Sequence, residues 1–314
     1  MARARNHWDR AKRGILIWAI SIFLFYLSFR MALMNSSINS STPSSSDPSL
    51  SNAERRTRLY DKMERDLDEH GAAFLKHGET SQSLSLSELF TIRDGRVIPN
   101  LKAANPPVRA NLLYLGTNYS VHIAYAVKAV FSSYFNENIW FQNSSLYHFS
   151  MFHASHHISS VPATQDDIEA EATAVKRVAT TLCPMNIVLD RVVLTSTGVL
   201  LGCWQVVSGT DPIIVRADLR KALSRAPEKQ LYDAAILHTS FARLLGPPIP
   251  PPGVSDRKDD IQLFHELVNR VNDQIRGFKA TISELWYVEE FDLLALAMNG
   301  RMKARRFELG CSKS

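Results

Sequence analysis

Cysteine is scarce in this sequence. The 314 residues include three, Cys183, Cys203 and Cys311. Three is few for a protein of an oxidising compartment, and an odd number leaves at least one thiol without a partner in its own chain. Cys183 and Cys203 could pair there, and buried free thiols fit the sequence equally well. No cysteine is assigned to the chemistry.

Net charge is absent from most of the chain. The formal net charge is +5, and the first 30 residues account for it with six basic side chains and one acidic side chain. The remainder carries equal numbers of basic and acidic groups. A neutral domain is not expected to bind long RNA or DNA by counterion release, although a local basic patch could hold one nucleotide or a short oligonucleotide.

A recognisable set of metal ligands is also missing. Four histidines crowd into one segment, at His148, His153, His156 and His157. No cysteine or acidic residue nearby completes a set at metal-binding spacing, so the sequence predicts no metal and no other cofactor. The Asp-x-Asp string that many Golgi glycosyltransferases use with a metal occurs only at residues 66–68, inside a charged helical segment.

The amino terminus contains one long apolar run. It follows a basic tail at residues 1–13 and extends over residues 14–34, which is long enough to cross a bilayer. Because no small-residue cleavage site follows, an uncleaved transmembrane signal anchor is favoured over a signal peptide. The basic tail predicts a single-pass type II protein of the endomembrane system, in the Golgi, with its domain in the lumen.

A serine-rich segment follows this run, at residues 35–53, and its lack of apolar residues is typical of a stem. Four glycosylation sequons begin at Asn35, Asn39, Asn118 and Asn143, and they fit a lumenal glycoprotein. The plan of tail, anchor and stem is shared by many Golgi glycosyltransferases. A type II glycosyltransferase is therefore one alternative function.

Two short apolar strings carry the candidate chemistry. Each has a histidine followed two residues later by a serine, His148 with Ser150 and His238 with Ser240. Residues i and i+2 share one face of a strand, so each pair is expected to point the same way. Buried polar groups need partners, and a cleft is a more natural place for these side chains than a core.

Two facing histidines can act as one general base and one general acid, because an unperturbed pKa near 6.5 lets both protonation states coexist near neutrality. Two hydroxyls beside them can donate to the oxygens of a phosphate. This set suits in-line attack on a phosphate ester without a metal.

The paired strings resemble the 2H phosphoesterase superfamily, which includes RNA-ligase and cyclic-phosphodiesterase-like proteins and plant cyclic phosphodiesterases. The second string matches best, because His238 and Arg243 fit the family pattern His-x-Thr-Leu-x-Arg. Ser240 stands in place of the threonine, and Phe241 in place of the leucine. The resemblance covers about residues 108–310.

The resemblance implies roles for these residues. His148 and His238 would be catalytic, Ser150 and Ser240 would bind phosphate, and Arg243 would support them. His157 is the alternative first histidine, since it also begins a His-x-Ser string and the sequence does not settle which register the strand adopts.

The organisation of the remaining chain follows from its periodicities. Residues 54–107 are predicted to form a helical neck and a linker, and residues 108–311 a 2H phosphoesterase-like domain. Its expected fold is α+β and two-lobed, with two antiparallel sheets flanked by helices and a central cleft, preceded by the transmembrane helix. Residues 278–288 and 293–309 are predicted as strands, the second bent at an Asn-Gly pair.

The sequence therefore predicts a metal-independent cyclic phosphodiesterase, a hydrolase that opens a 2′,3′-cyclic nucleotide or a ribose cyclic phosphate. Its partner would be a small nucleotide or a short oligonucleotide with a cyclic phosphate. A second alternative, beside the glycosyltransferase, is a domain of the same fold that binds a phosphorylated ligand without turnover.

Overall fold

Strands with alternating buried and exposed residues form the centre of the molecule. The computed structural model describes residues 50–78, 80, 84–135, 137–249 and 259–311. In them the strands are β1 (Phe90–Arg93), β2 (Arg96–Pro99), β3 (Ala103–Tyr114), β4 (Ile139–Phe141), β5 (His148–Ser155), β6 (Met185–Leu194), β7 (Val199–Ser208), β8 (His238–Leu244), β9 (Lys279–Ile282), β10 (Glu284–Asp292) and β11 (Met302–Glu308).

Helices connect and cover these strands. The described helices are α1 (Asn52–His70), α2 (Ala73–His77), α3 (Leu86–Leu89), α4 (Thr117–Phe135), α5 (Gln165–Thr181), α6 (Pro212–Ala222), α7 (Asp260–Ile275) and α8 (Ala295–Met298). Local sequence explains their ends. The Thr164 hydroxyl accepts a hydrogen bond from the backbone N–H of Asp167, whose carboxylate accepts one from the Thr164 backbone N–H, and this capping box begins α5.

The strands pair into two antiparallel sheets and one hairpin. The four-stranded sheet has the order β11-β10-β3-β5, the five-stranded sheet the order β4-β8-β7-β6-β9, and β1 pairs with β2. The predicted class, α+β with antiparallel sheets and helices, is confirmed. The first motif lies on an edge strand of one sheet and the second motif lies inside the other.

A buried ion pair shows which face of the four-stranded sheet is covered. Arg109 of β3 donates two hydrogen bonds to Glu171 of α5, at 2.8 and 3.2 Å, and the Tyr287 hydroxyl of β10 donates a third. Because strand residues alternate between faces, Val108 and Ala110 are directed to the opposite side. That side faces the pocket described below.

The helical neck predicted at residues 54–107 packs within the same compact unit as the rest, which spans Ser51–Ser314. On α1, Tyr60 is buried, and its hydroxyl lies 2.7 Å from the carbonyl of Trp204 and 2.8 Å from that of Leu237. Arg56 is also buried and donates to the carbonyl of Ala235. Helix α1 therefore supports the backbone that leads into β8.

One predicted strand is two strands in different sheets. Residues 278–288 were expected to form a single strand, but β9 pairs with β6 and β10 pairs with β3. The chain changes sheet at Ser283. Strand β9 alternates buried and exposed residues, whereas β10 is buried over residues 285–290, and no turn signal separates the two strands in the sequence.

The Asn-Gly pair also has a different role from the one predicted. Residues 295–298 form the short helix α8 rather than a strand, and Asn299 ends this helix in a left-handed conformation with φ of 56°. Gly300 fits here because a Cβ would lie 3.0 Å from the Cα of Ala295. Strands β10 and β11 do pair, so the hairpin exists with a longer connection.

The structure answers the question of cysteine pairing that the sequence left open. Cys183 is bonded to Cys311, and Cys203 is a buried free thiol on β7. Cys203 lies within β7, in the middle of a sheet, whereas Cys183 and Cys311 lie just outside the ends of β6 and β11.

The localisation predicted from the sequence is also corrected. Among the residues that the structure describes, no helix has both the length and the apolar character of a membrane span. The anchor predicted at residues 14–34 and the sequons at Asn35 and Asn39 lie outside the described residues. Asn118 and Asn143 are exposed.

Candidate active site

Strands β5 and β8 bring the two motifs to one pocket. His148 and Ser150 lie on one face of β5, with the buried Phe149 between them pointing into the core, and His238 and Ser240 have the same arrangement on β8. All four polar side chains line the same pocket between the sheets. The structure thus places together the residues that the two motifs indicated.

A bulge in each strand adds a third side chain to each motif. In β5, Ser150 pairs with Leu112 and Phe152 with Asn111, so Met151 is an extra residue. An extra residue reverses the alternation, and it turns His153 to the same side as Ser150. His153 lines the pocket.

The same device occurs in β8. Leu201 pairs with Ser240 and Leu200 with Ala242, so Phe241 is the extra residue, and Arg243 lines the pocket with Ser240. Phe241 is accommodated because Gly202 of β7 has no side chain, since a Cβ there would lie 2.2 Å from the phenyl ring. Each motif therefore presents three side chains to the pocket at matching positions: a histidine, a serine and then His153 in β5 or Arg243 in β8.

His148 is held by the backbone of its own strand. Its Nδ1 donates a hydrogen bond to the carbonyl of Leu146 at 2.7 Å, which leaves Nε2 as the nitrogen available for proton transfer. Burial lowers the pKa of His148, and the hydrogen bond to Leu146 opposes this shift because it stabilises the imidazolium.

His238 has no comparable hydrogen bond among the described residues. Its ring lies edge-on to Tyr232, with 5.0 Å between the ring centroids. Burial, followed by the positive charges of Arg216 and of His148, lowers the pKa of His238 to about 3. His238 is therefore neutral in the empty pocket near pH 7.

Arg216 of α6 forms hydrogen bonds to the backbone of β5 and to the backbone that leads into β8. Its guanidinium donates to the carbonyls of Met151 at 3.0 Å and Ser150 at 2.9 Å in β5, and to that of Ala234 at 2.8 Å in the segment before β8. The side chain is buried, and burial lowers its pKa to about 10. One cation thus sets the spacing of the two strands and favours the neutral form of His238.

Three polar groups in the pocket have no protein partner among the described residues. Arg243 Nη1 is buried without a hydrogen bond, and burial lowers the pKa of Arg243 to about 10. The hydroxyls of Ser150 and Ser240 donate no hydrogen bond to the described chain. Buried donors without partners cost free energy, so this group is suited to an anionic ligand that supplies the acceptors.

The other histidines of the cluster differ in their surroundings. His156 is buried and fully bonded, because its Nδ1 accepts from the Ser159 backbone N–H and its Nε2 donates to the Lys229 carbonyl. Burial, then the charges of His156 and His157, lowers the pKa of His153 to about 3. His157, the alternative first histidine, lies in the turn after β5 and lines the same pocket. It lacks the position in a paired strand that His148 has.

Glu290 of β10 is a pocket residue that the sequence analysis missed. Its carboxylate accepts a hydrogen bond from the backbone N–H of Leu296 at 3.0 Å, and burial raises its pKa to about 7. The sequence does contain a sign of it, because Glu289 and Glu290 follow directly on an apolar run in the same strand. Arg216 and Tyr232 were also missed, and a short motif gives no sign of either.

In the described part of the chain, the residues weighed as metal ligands and the Asp-x-Asp string do not form a metal site. Within the described ranges, no three His, Cys, Asp or Glu side chains converge as metal ligands. Asp66 accepts a hydrogen bond from the Ser196 backbone N–H at 2.7 Å, and Asp68 lies 2.6 Å from His265. Both aspartates thus bind neighbouring elements, and neither lines the pocket.

Comparison with known proteins gives matches in structure only. No protein-family model matches the chain, and no curated protein matches it closely enough to count as a relative. TT0787 of Thermus thermophilus has a TM-score of 0.45 and 11% identity, over 66% of this chain and 100% of that chain. The crystal structure of a phosphoesterase has a TM-score of 0.42 and 11% identity, over 65% of this chain and 99% of that chain.

LigT of E. coli in its apo form has a TM-score of 0.41 and 12% identity, over 65% of this chain and 98% of that chain. LigT has also been solved with phosphate and with 3′-AMP. The resemblance of the chain to the 2H phosphoesterase superfamily lies in its two motifs.

Proposed function

We propose that this protein is a phosphoesterase that opens a cyclic phosphodiester, such as a 2′,3′-cyclic nucleotide or a ribose cyclic phosphate, without a metal. One observation carries the proposal: two His-x-Ser pairs from strands of different sheets line one pocket together with the unpaired Nη1 of Arg243. A pocket with donors for phosphate oxygens and two imidazoles suits acid–base catalysis at phosphorus.

The surroundings of the two histidines support distinct roles. His148 holds a proton more readily, because the Leu146 carbonyl stabilises its imidazolium, and it serves as the general acid. His238 lies near the charge of Arg216 and stays neutral, so it serves as the general base. The negative charge of a bound phosphodiester favours the imidazolium of His148 further.

The reaction is then a single displacement. His238 takes a proton from water, the water oxygen bonds to phosphorus, and the bond from phosphorus to one ring oxygen breaks. His148 gives its proton to that leaving oxygen. The product is a phosphomonoester with a free neighbouring hydroxyl. Ser150, Ser240 and Arg243 hold the non-bridging oxygens, where negative charge develops.

The test is hydrolysis of 2′,3′-cyclic nucleotides by the purified protein with EDTA present. His148→Ala and His238→Ala should each lower kcat by roughly 10²- to 10⁴-fold, the usual contribution of a positioned acid or base. His122→Ala is the matched control, since His122 is exposed on α4 and does not line the pocket. Thermal unfolding of each variant checks that the fold is intact.

Three results would contradict the proposal. They are full activity of either pocket variant, loss of activity on addition of EDTA, and wild-type inactivity on every cyclic phosphate tried. The last result, together with retained binding of a phosphomonoester, would favour the domain that binds without turnover. If His148→Ala is active and His157→Ala is not, the first catalytic histidine is His157.

A further inference from the structure

In the described part of the chain, one acidic side chain lines the pocket of the two histidines. It belongs to Glu290 of β10, which is buried, with 6% of the residue exposed. Its carboxylate accepts a hydrogen bond from the backbone N–H of Leu296 at 3.0 Å, and no described basic side chain forms an ion pair with it. The mechanism proposed above does not use this group.

Glu290 lies on the same face of the four-stranded sheet as the first motif, but at a distance from it. Ser150 of β5 lies opposite Leu112 of β3, and Glu290 lies opposite Val108, four residues further along β3. Because β3 separates β5 from β10, the two side chains are also two strand spacings, or about 10 Å, apart across the sheet. A phosphate held at Ser150 therefore leaves Glu290 to face a more distant part of the ligand.

Apolar side chains surround Glu290 on its own sheet and from the segment at α8. Its partners in the sheet and its neighbours in the pocket wall are Val108, Met302, Leu294, Leu296 and Ala297. Burial raises the pKa of Glu290 to about 7, and the backbone N–H groups of Leu296 and Ala295 oppose this rise. The carboxyl group is therefore neutral in acid and negatively charged in alkaline solution.

Other titratable groups share this part of the molecule. Across the pocket, the titratable side chains at the end of β5 and in the turn after it are His153, His156 and His157. Burial lowers the pKa of both His153 and His156, so these two are neutral above pH 7. On β10 itself, the Asp292 carboxylate is bound by the guanidinium of Arg301. In alkaline solution none of these four groups supplies a free positive charge beside Glu290.

We propose that Glu290 restricts the substrate to a cyclic phosphate with no second phosphate group next to it, so that a mononucleoside or ribose cyclic phosphate is accepted and the cyclic end of an oligonucleotide is rejected. The inference rests on the proposed function, because it places the cyclic phosphate at the histidines. In an oligonucleotide the next phosphodiester carries a full negative charge throughout the neutral range. At a separation of about 8 Å and an effective dielectric constant of about 20, repulsion by Glu290 weakens binding roughly ten- to a hundred-fold.

Three substrates with the same reacting group test this role of charge. They are uridine 2′,3′-cyclic phosphate, the dinucleotide that adds a second uridine through a 5′ phosphodiester, and the same dinucleotide with an uncharged methylphosphonate linkage. The two dinucleotides are nearly equal in size, so the ratio of their kcat/KM values isolates the charge. At pH 8.5 wild type should favour the methylphosphonate roughly ten- to a hundred-fold. At pH 5.5, where Glu290 is neutral, this preference should nearly disappear.

Two variants separate the charge of Glu290 from its structural role. Glu290→Gln keeps an acceptor for the Leu296 N–H but carries no charge, so its ratio should stay near one at both pH values. Glu308→Gln is the matched control, because Glu308 is exposed on β11 of the same sheet and lies outside the pocket, and its ratio should equal that of wild type. Thermal unfolding checks the fold of each variant.

Three results would overturn the inference. The first is a wild-type ratio near one at pH 8.5, and the second is the same ratio in wild type and in Glu290→Gln. The third is equal rejection of both dinucleotides relative to the mononucleotide, because size rather than charge would then exclude them.

A binding measurement distinguishes failure of this role from failure of the proposed function. The ligands are the two dinucleotides with a 3′-phosphate in place of the cyclic phosphate, and their Kd values are measured by calorimetry at pH 8.5. If wild type hydrolyses no cyclic phosphate but binds the methylphosphonate form more tightly, and Glu290→Gln removes that difference, the role of Glu290 stands and the catalytic proposal fails. If wild type hydrolyses the cyclic phosphates but binds both ligands equally, the role of Glu290 is refuted and the catalytic proposal stands.

Discussion

At the scale of single residues, the proposed mechanism depends on the charge states of the two histidines. In that mechanism the reactive form of the free protein carries one proton on the pair, and its population is greatest midway between the two pKa values. Both values lie below the ordinary 6.5, that of His148 by burial and that of His238, at about 3, by burial and by Arg216.

We therefore predict that kcat/KM has its maximum at an acidic pH. As pH falls from 7, the first proton binds and kcat/KM rises; as pH falls further, the second proton binds, the general base is lost and kcat/KM falls. The optimum should lie below 6.5, in contrast to a solvent-exposed pair. A profile of kcat/KM between pH 4 and 9 measures it, and an optimum above pH 7 would contradict the assignment.

Arg216 allows a second prediction at this scale. Arg216→Met removes three hydrogen bonds to backbone carbonyls and should lower the free energy of unfolding by roughly 3 kcal/mol. It also removes the charge that lowers the pKa of His238, so the optimum of kcat/KM should move upward. Urea unfolding and a pH profile measure the two effects.

Arg216→Lys separates these effects. Lysine keeps the positive charge but cannot reach three carbonyls in the arrangement of a guanidinium. This variant should lose stability while its pH optimum stays near that of wild type. Lys221→Met, an exposed position on the same helix, is the matched control and should change neither quantity. An unchanged urea midpoint in Arg216→Met would show that the hydrogen bonds of Arg216 do not contribute.

Helix α1 supports the second motif at the scale of secondary-structure elements. The Tyr60 hydroxyl accepts from the backbone N–H of Leu237 at 3.2 Å, and the Leu237 carbonyl lies 2.8 Å from the same oxygen. Leu237 immediately precedes His238 in the chain. The helix therefore holds the entry to β8 rather than extending from the domain as a neck.

Tyr60→Phe tests this support. Loss of the hydroxyl removes the bonds that Tyr60 makes to the backbone N–H of Leu237 and to the carbonyl of Trp204, which should cost about 1–3 kcal/mol of unfolding free energy. The measurement is the urea midpoint. Tyr125→Phe on the exposed face of α4 is the control and should unfold like wild type. Equal midpoints for the two variants would show that α1 does not stabilise this region through Tyr60.

The disulfide acts at the scale of the whole molecule. Cys183 precedes β6 of the five-stranded sheet and Cys311 follows β11 of the four-stranded sheet, so the bond joins the two sheets across 128 residues. A loop of this length gives a stabilisation of roughly 5 kcal/mol in the chain-entropy description.

Reduction with dithiothreitol should therefore lower the Tm of the wild-type protein. A variant with both Cys183→Ala and Cys311→Ala should have a lower Tm that dithiothreitol does not change. Scanning calorimetry with and without reductant measures both. A wild-type Tm that is insensitive to reductant, with the thiols shown to be reduced, would contradict this role.

The sequence by itself determined the features that depend on neighbours in the chain. The histidine and serine of each His-x-Ser pair share a face because side chains in a strand alternate with a period of two. The start of α5 follows from the capping box at Thr164. The class of fold follows from the alternation of such elements. These features are local, since the residues that cause them lie within a few positions of each other.

The tertiary structure decided what depends on distant contacts. The bulges at Met151 and Phe241 set the third residue of each motif, and a bulge depends on the partner strand rather than on the strand itself. The change of sheet at Ser283, the pairing of Cys183 and the hydrogen bonds of Arg216 have the same origin. In each case the deciding neighbour lies tens of residues away, and no local period or motif encodes its position.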